Sequence, residues 1–325
     1  LKFIHVSDPR RIEDNVIQFV ISLKKQGKGF SAIHNYVSAI AKFYRTKRVY
    51  LNTKHINEYL PEFKKSKKDR PYTHEEIHKL LDVADMRMRA IILLLASTGM
   101  RIGAIPGLRL RNIEKVSQFE LDTHIYKITV YENTNDEYVV YCTFETANAI
   151  DEYLKMRQQY GEKLTQNSFL IREQFDVRDP FKISTCKQVK ANTITRKLID
   201  LAERCLIRQK ETLVEGSNKK RSEIRKDVPI AMGFRKFFTN HMLESDLKTE
   251  LRWLLEGHNL KANDPNYIRT TPKSLQQEYE KGINALTINE ENRQKIRIEK
   301  LEVEKSQLEQ ITLDIQELKR KMKKK

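Results

Sequence analysis

The sequence is poor in cysteine, has no long apolar run and is short of negative charge. Its 325 residues hold three cysteines, Cys142, Cys186 and Cys205, widely spaced and in no CxxC pair. That excludes a disulfide scaffold and a zinc ribbon, and it suits a reducing compartment. The longest apolar stretches, such as Ala90 to Ala96, fall far below the roughly 18 residues that mark a candidate membrane span. The start shows no signal-peptide pattern, and an opening Leu1 in place of methionine points to a natural start further upstream. The expected setting is therefore the cytoplasm, with no membrane contact.

What is abundant is basic charge. The chain carries 61 Lys and Arg against 44 Asp and Glu, a formal net charge of +17. Lys and Arg that neutralise phosphates release condensed counterions, so a surplus of this size favours a polyanion as partner. Solubility alone is the plainer reading. Nucleic acid is the expected partner. A hydrophobic content of 39% suffices for a real core, and the length suits two domains or two plus an extension.

The apolar spacing sets out the organisation. Ile12, Val16, Phe19, Val20 and Leu23 share one helical face, closed by Gly27 and Gly29. Ile33, Tyr36, Val37, Ile40, Phe43 and Tyr44 line a second helix, and a shorter piece around Ile56, Tyr59 and Leu60 stops at Pro61. Residues 1–63 thus read as a small helical bundle, with Lys42, Arg45, Lys47 and Arg48 off the apolar stripe. Residues 64–71, beginning KKSKKDR, read as a basic linker that no core can use. From 72 to 288 the chain is mainly helical. Thr73 and Glu76 have capping-box spacing, and AIILLLA is apolar on nearly all sides. Ile125–Tyr131 and Tyr138–Cys142 flank the turn-prone ENTND and predict a hairpin. Further helical patterns cover Glu145–Arg157, Ile194–Ile207, Phe234–Ser245, Leu247–Leu255 and Leu275–Leu286. The expected fold class is mainly α with a small antiparallel β-sheet. Residues 289–325 read as a coiled-coil tail: Leu301, Leu308, Ile315 and Met322 recur every seven positions, with Ile311 and Leu318 between them. Glu304 interrupts that seam, and the chain closes on the basic KRKMKKK.

Four segments carry possible chemistry. HEEIH at His74–His78 matches a zinc-protease pattern. It lies in the first turn behind an N-cap, where the helix dipole explains Glu75 and Glu76, and no third ligand follows at a suitable spacing. TGMRIGAI puts Arg101 just after a buried helix ends at Gly99. MGFRKFF sets Arg235 at the start of a helix packed through Phe234, Phe237 and Phe238, where free N–H groups favour an anion. EGH sets His258 after a glycine helix stop, and Tyr267 follows nine residues on, behind the turn Asn263-Asp264-Pro265. Tyr279 shares a stripe with Leu275 and Ile283 and reads as core.

Taken in order, TGMRIGAI, MGFRKFF and EGH…Y resemble the motifs of the tyrosine recombinase (phage integrase) family. The helical domain at 1–63 resembles that family's core-binding domain. The succession YTHEEIHKLL, TGMR, FETANAIDEYL and GFRKFF, with the coiled tail, is most similar to integrases of archaeal type. The resemblance implies Tyr267 as a nucleophile that attacks a DNA phosphodiester, giving a 3′-phosphotyrosyl link and a free 5′-hydroxyl. It implies Arg101, Arg235 and His258 as donors to the charge that grows on the phosphoryl oxygens, with no cofactor and no metal. It also implies double-stranded DNA as the partner, a nucleoid-associated setting, and a homo-oligomer working on paired DNA sites. Three positions depart from the family pattern. Met232 stands where the family has a histidine, Ala104 where it has an acidic residue, and ENTND lacks the lysine that protonates the leaving group, Lys127 lying in the preceding strand. Two alternatives stay open: relaxation of DNA in the manner of a type IB topoisomerase, and a DNA-binding protein of the same fold that has lost cleavage.

Overall fold

The computed structural model describes residues 8–63, 69–118, 123–208, 227–258 and 271–323, with side chains as far as 316. The chain divides into two compact units, Leu1–Lys68 and Asp69–Lys325. In the first, α1 (Pro9–Lys25) and α2 (Phe30–Thr46) pack with a short α3 (Thr53–Asn57). Asp8 caps α1 by accepting from the Arg10 N–H, and Pro9 occupies the first turn, where a missing N–H costs nothing. Ile12, Val16, Val20 and Leu23 meet Ile33, Val37 and Ile56 in a single core. Tyr36 and Phe43, expected on the buried stripe of α2, are instead half exposed (49% and 48%). Three short helices cannot cover so wide an apolar face, so its edges stay wet. Lys42, Arg45, Lys47 and Arg48 are exposed as well.

The second unit is mainly helical around one three-stranded antiparallel sheet. α4 (His74–Val83) starts at a complete capping box between Thr73 and Glu76. α5 (Met86–Thr98) is buried on nearly every side between α4, α6 (Phe144–Gln159) and α9 (Ile230–Glu244), as its unbroken apolar run requires. The sheet holds β1 (Ile113–Ser117), β2 (His124–Val130) and β3 (Tyr138–Tyr141) in the order β1-β2-β3. The expected hairpin is β2–β3. β1 was not legible, because its IEKVS sequence buries no side chain fully. α7 (Pro180–Ser184) and α8 (Ala191–Arg204) follow the sheet, and α10 (Thr249–Leu255) packs on β3. The helix expected over Leu275–Leu286 is two, α11 (Pro272–Lys281) and α12 (Ile283–Leu286), parted at Gly282. Tyr279 lies fully buried on α11 and donates to the Ser97 carbonyl at 2.9 Å. α13 (Glu290–Lys323) is one continuous 34-residue helix. Its start is docked: Glu145 accepts from the Ile288 and Asn289 N–H groups and from Asn292, and Ile296 is buried. From Ile298 to Ile315 its large apolar side chains are exposed. Among the described residues, no helix is long and apolar enough to cross a membrane.

His74 illustrates why the HEEIH pattern does not gather ligands. Its Nε2–H donates to the Ala285 carbonyl at 2.8 Å, while His78 Nδ1 faces Asp82 at 3.2 Å. Among the described residues no three His, Cys, Asp or Glu side chains converge as a metal site would need. Burial, with Arg293 and His241 nearby, pulls the His74 pKa down to about 4 although the Ala285 carbonyl opposes this. An unfolded histidine titrates at about 6.5. Between those values the unfolded chain binds the extra proton, so acidification from pH 6.5 towards 4 should destabilise the fold through this group. His74→Asn should lose less stability across that window in denaturant titrations. A pH-independent gap between the two proteins would contradict the neutral, buried assignment.

Candidate active site

Two helix ends and one guanidinium build the site. α5 closes at Gly99, whose left-handed backbone (φ 60°) returns its N–H to the Leu95 carbonyl. A Cβ at Gly99 would fall 2.5 Å from the Phe238 ring, so only glycine lets α9 lie this close. α10 closes in the same way at Gly257 (φ 65°), where a Cβ would fall 2.6 Å from the Tyr138 ring. On α9, Phe234, Phe237 and Phe238 are fully buried, and Arg235 emerges beside them at 7% exposure. It donates through Nη1 to the Gly99 carbonyl at 2.9 Å and through Nη2 to the Glu256 carbonyl at 2.6 Å. Carbonyls at a helix C-terminus lack intrahelical partners and carry the negative end of the dipole, so a cation is well placed there.

The residues just past the two caps face the same space. Arg101 follows Gly99 by two positions, is exposed, and has no ion pair among the described residues. His258 follows Gly257 with its side chain 48% exposed. Its Nε2 lies 3.2 Å from Arg235 Nη2 and 3.1 Å from a Glu256 carboxylate oxygen. Protonated, that nitrogen donates to Glu256, and unprotonated it accepts from Arg235. Glu256 is 3% exposed, and its other carboxylate oxygen takes Arg252 at 2.7 Å. Burial first, and the charge of Arg101 second, pull the Arg235 pKa below its ordinary value, with Glu256, Tyr138 and Tyr131 acting the other way. Two guanidiniums close enough to repel each other, with the Glu256 carboxylate shared between Arg252 and His258, can together attract an anion.

Of the residues singled out in the sequence, Arg101, Arg235 and His258 thus come together. Tyr267, with Asn263, Asp264 and Pro265, lies outside the described residues, as does most of the basic linker. Arg235 does not stand in the first turn of its helix. α9 begins at Ile230, directly after Pro229, so Arg235 is its sixth residue, and the anion preference of a helix start does not act there. Met232 is 53% exposed and Ala104 is buried at 3%. Lys127 Nζ is held by Glu114 on the neighbouring strand at 2.8 Å. Sequence reasoning missed Glu256, although it is the first letter of EGH, and missed Tyr138, whose place at the start of β3 was visible without its facing.

The fold is that of the tyrosine recombinase catalytic domain, mainly helical with a small antiparallel sheet. The match that carries this is to the XerH site-specific recombinase in a post-cleavage complex with a palindromic difH substrate. It has 14% identity and a TM-score of 0.50, covering 77% of this chain and 66% of that one. The chain therefore spans a little under two thirds of that protein's length. The XerA recombinase aligns at 18% identity and a TM-score of 0.41, covering 89% of this chain and 81% of the other. The integrase from mycobacterium phage Brujita aligns at 17% identity and a TM-score of 0.42, covering 84% and 78%. No family model and no curated protein matches the sequence.

Proposed function

We propose that the protein is a site-specific DNA recombinase, an integrase of the tyrosine class, and that its motif order and helical tail place it nearest the archaeal type. The observation that carries this reading is the meeting of Arg101, Arg235 and His258 at two helix ends. In the proposed reaction Tyr267 attacks a phosphodiester. The two guanidiniums and the imidazole stabilise the charge developing on the phosphoryl oxygens, so no metal is needed. The phosphotyrosyl bond stores the ester energy, and a second 5′-hydroxyl displaces the tyrosine without ATP. Residues 1–63, the basic linker at 64–71 and the catalytic region at 72–288 hold double-stranded DNA together.

A nicked suicide duplex tests the reading. With EDTA present, the protein should become covalently joined to the 3′ end at the break. Binding without any adduct would mean a DNA-binding protein that has lost cleavage. Relaxation of plasmid lacking a specific site, by a monomer, would mean a topoisomerase-like enzyme.

The exposed stretch of α13 is proposed as an arm that pairs with a second copy. Because the helix start is docked through Ile288, Asn289 and Ile296, the informative truncation begins at 298. Removing 298–325 should weaken assembly on paired sites more than binding to one site, since a marginal seam gains from high local concentration on DNA. It should also flatten the dependence of log K on log[salt]. Wild-type recombination with an unchanged salt slope would show a solvated helix with no partner.

A further inference from the structure

Strand alternation sorts the hairpin side chains into two sets. Tyr138 pairs across the ladder with Val130, and Val140 with Ile128, so these four share a face. Lys127 pairs with Tyr141. It lies on the opposite face and three residues, roughly 10 Å, from the Tyr138 end of the strand. Position and the Glu114 ion pair both keep Lys127 away from the arginines.

Tyr138 is in the other situation. Its ring lies against Gly257, the residue between Glu256 and His258. Its hydroxyl is buried and has no hydrogen-bond partner among the described residues. Both Arg235 and Arg101 act on that hydroxyl electrostatically, as does Tyr131, whose ring centroid lies 6.3 Å from that of Tyr138. A buried hydroxyl without a partner is destabilising, so its presence at such a place calls for an acceptor that arrives from outside.

Cleavage of a phosphodiester expels a 5′-oxygen that is a poor leaving group unless it gains a proton. We infer that Tyr138 donates that proton, an inference that rests on the recombinase reading above. The attacking tyrosine oxygen forms its bond to phosphorus and its own proton passes to water. The bond from phosphorus to the 5′-oxygen breaks, its electron pair takes the Tyr138 proton, and the phenolate sits beside Arg101 and Arg235. In the rejoining step the incoming 5′-hydroxyl returns a proton to Tyr138. Burial raises the Tyr138 pKa to about 12 against the pull of the two arginines, so the group is protonated at neutral pH, as a donor must be. The residue as a whole is half-buried, and the two arginines that would hold the phosphate already act on its hydroxyl. Donor geometry of this kind commonly tightens only when substrate binds.

The test compares two suicide duplexes on the full chain, one with an ordinary scissile phosphodiester and one with sulfur replacing the bridging 5′-oxygen. A thiolate leaves without a proton. Tyr138→Phe keeps the ring on Gly257 and deletes a hydroxyl without a partner among the described residues, so the fold should be as stable or more so and DNA affinity unchanged. It should slow ordinary cleavage by ~10²-fold or more, the usual scale of general acid catalysis, and cleave the sulfur-bridged duplex at the wild-type rate. Lys127→Ala, measured alongside, should match wild type on both. Equal slowing of Tyr138→Phe on the two substrates would mark a packing residue and overturn the inference, as would no slowing on either. Wild-type protein that forms no adduct with either duplex would overturn the recombinase reading itself, and this inference with it.

Discussion

Tyr267→Phe is expected to reduce covalent DNA cleavage below detection while leaving DNA affinity unchanged. The substitution deletes one oxygen and no charge, so the phosphate contacts that dominate affinity survive, whereas the nucleophile is gone. Tyr279→Phe supplies the contrast. That hydroxyl is fully buried and donates to Ser97, so its loss should cost about 1 kcal/mol of stability and leave cleavage intact. Denaturing gels of both variants on a suicide duplex, with parallel thermal melts, separate the two roles. Adducts that persist in Tyr267→Phe would place the nucleophile elsewhere.

The arginine substitutions have the next largest expected effect and differ from each other in an informative way. Arg101→Ala and Arg235→Ala should each slow cleavage by ~10²–10³-fold, the scale for losing one preorganised donor to a transition state. Arg101 is exposed, so its loss should change stability by only ~0.5 kcal/mol or less. Arg235 also serves the carbonyls of Gly99 and Glu256. Its loss leaves them without that donor at two buried helix ends, at a cost of about 1–3 kcal/mol for each group left unsatisfied. Single-turnover cleavage with DNA titrations and melts on the same samples measures both effects. If cleavage and affinity fell by equal factors in both variants, the two residues would be ordinary backbone contacts.

Much of this was legible in the residues, for reasons that also mark where legibility ended. The run AIILLLA could be satisfied only by a helix enclosed on all sides, and α5 is enclosed. Gly99 and Gly257 announced helix ends, and both have the left-handed backbone that such ends use. Arg101 and His258 then followed as the residues placed just beyond those ends. Local pattern could not tell that one guanidinium, 136 residues away from Gly99 in sequence, ties the two ends together. That contact depends on α9 lying across α5, which no local spacing specifies. β1 was missed because a strand at the sheet edge with a polar sequence has no alternation to read. Tyr138 was read as strand, and it is strand; what the pattern could not show is a buried hydroxyl with no partner among the described residues.

The central claim is that the space beside Arg101, Arg235 and His258 is where a tyrosine becomes joined to DNA. The most direct measurement is to trap wild-type protein on a suicide duplex in EDTA, digest the adduct and sequence the peptide that carries the nucleotide. A 3′-phosphotyrosyl bond at Tyr267 is the expected result. An adduct on any other residue, a link to the 5′ end, or cleavage that appears only when a divalent metal is restored would contradict it.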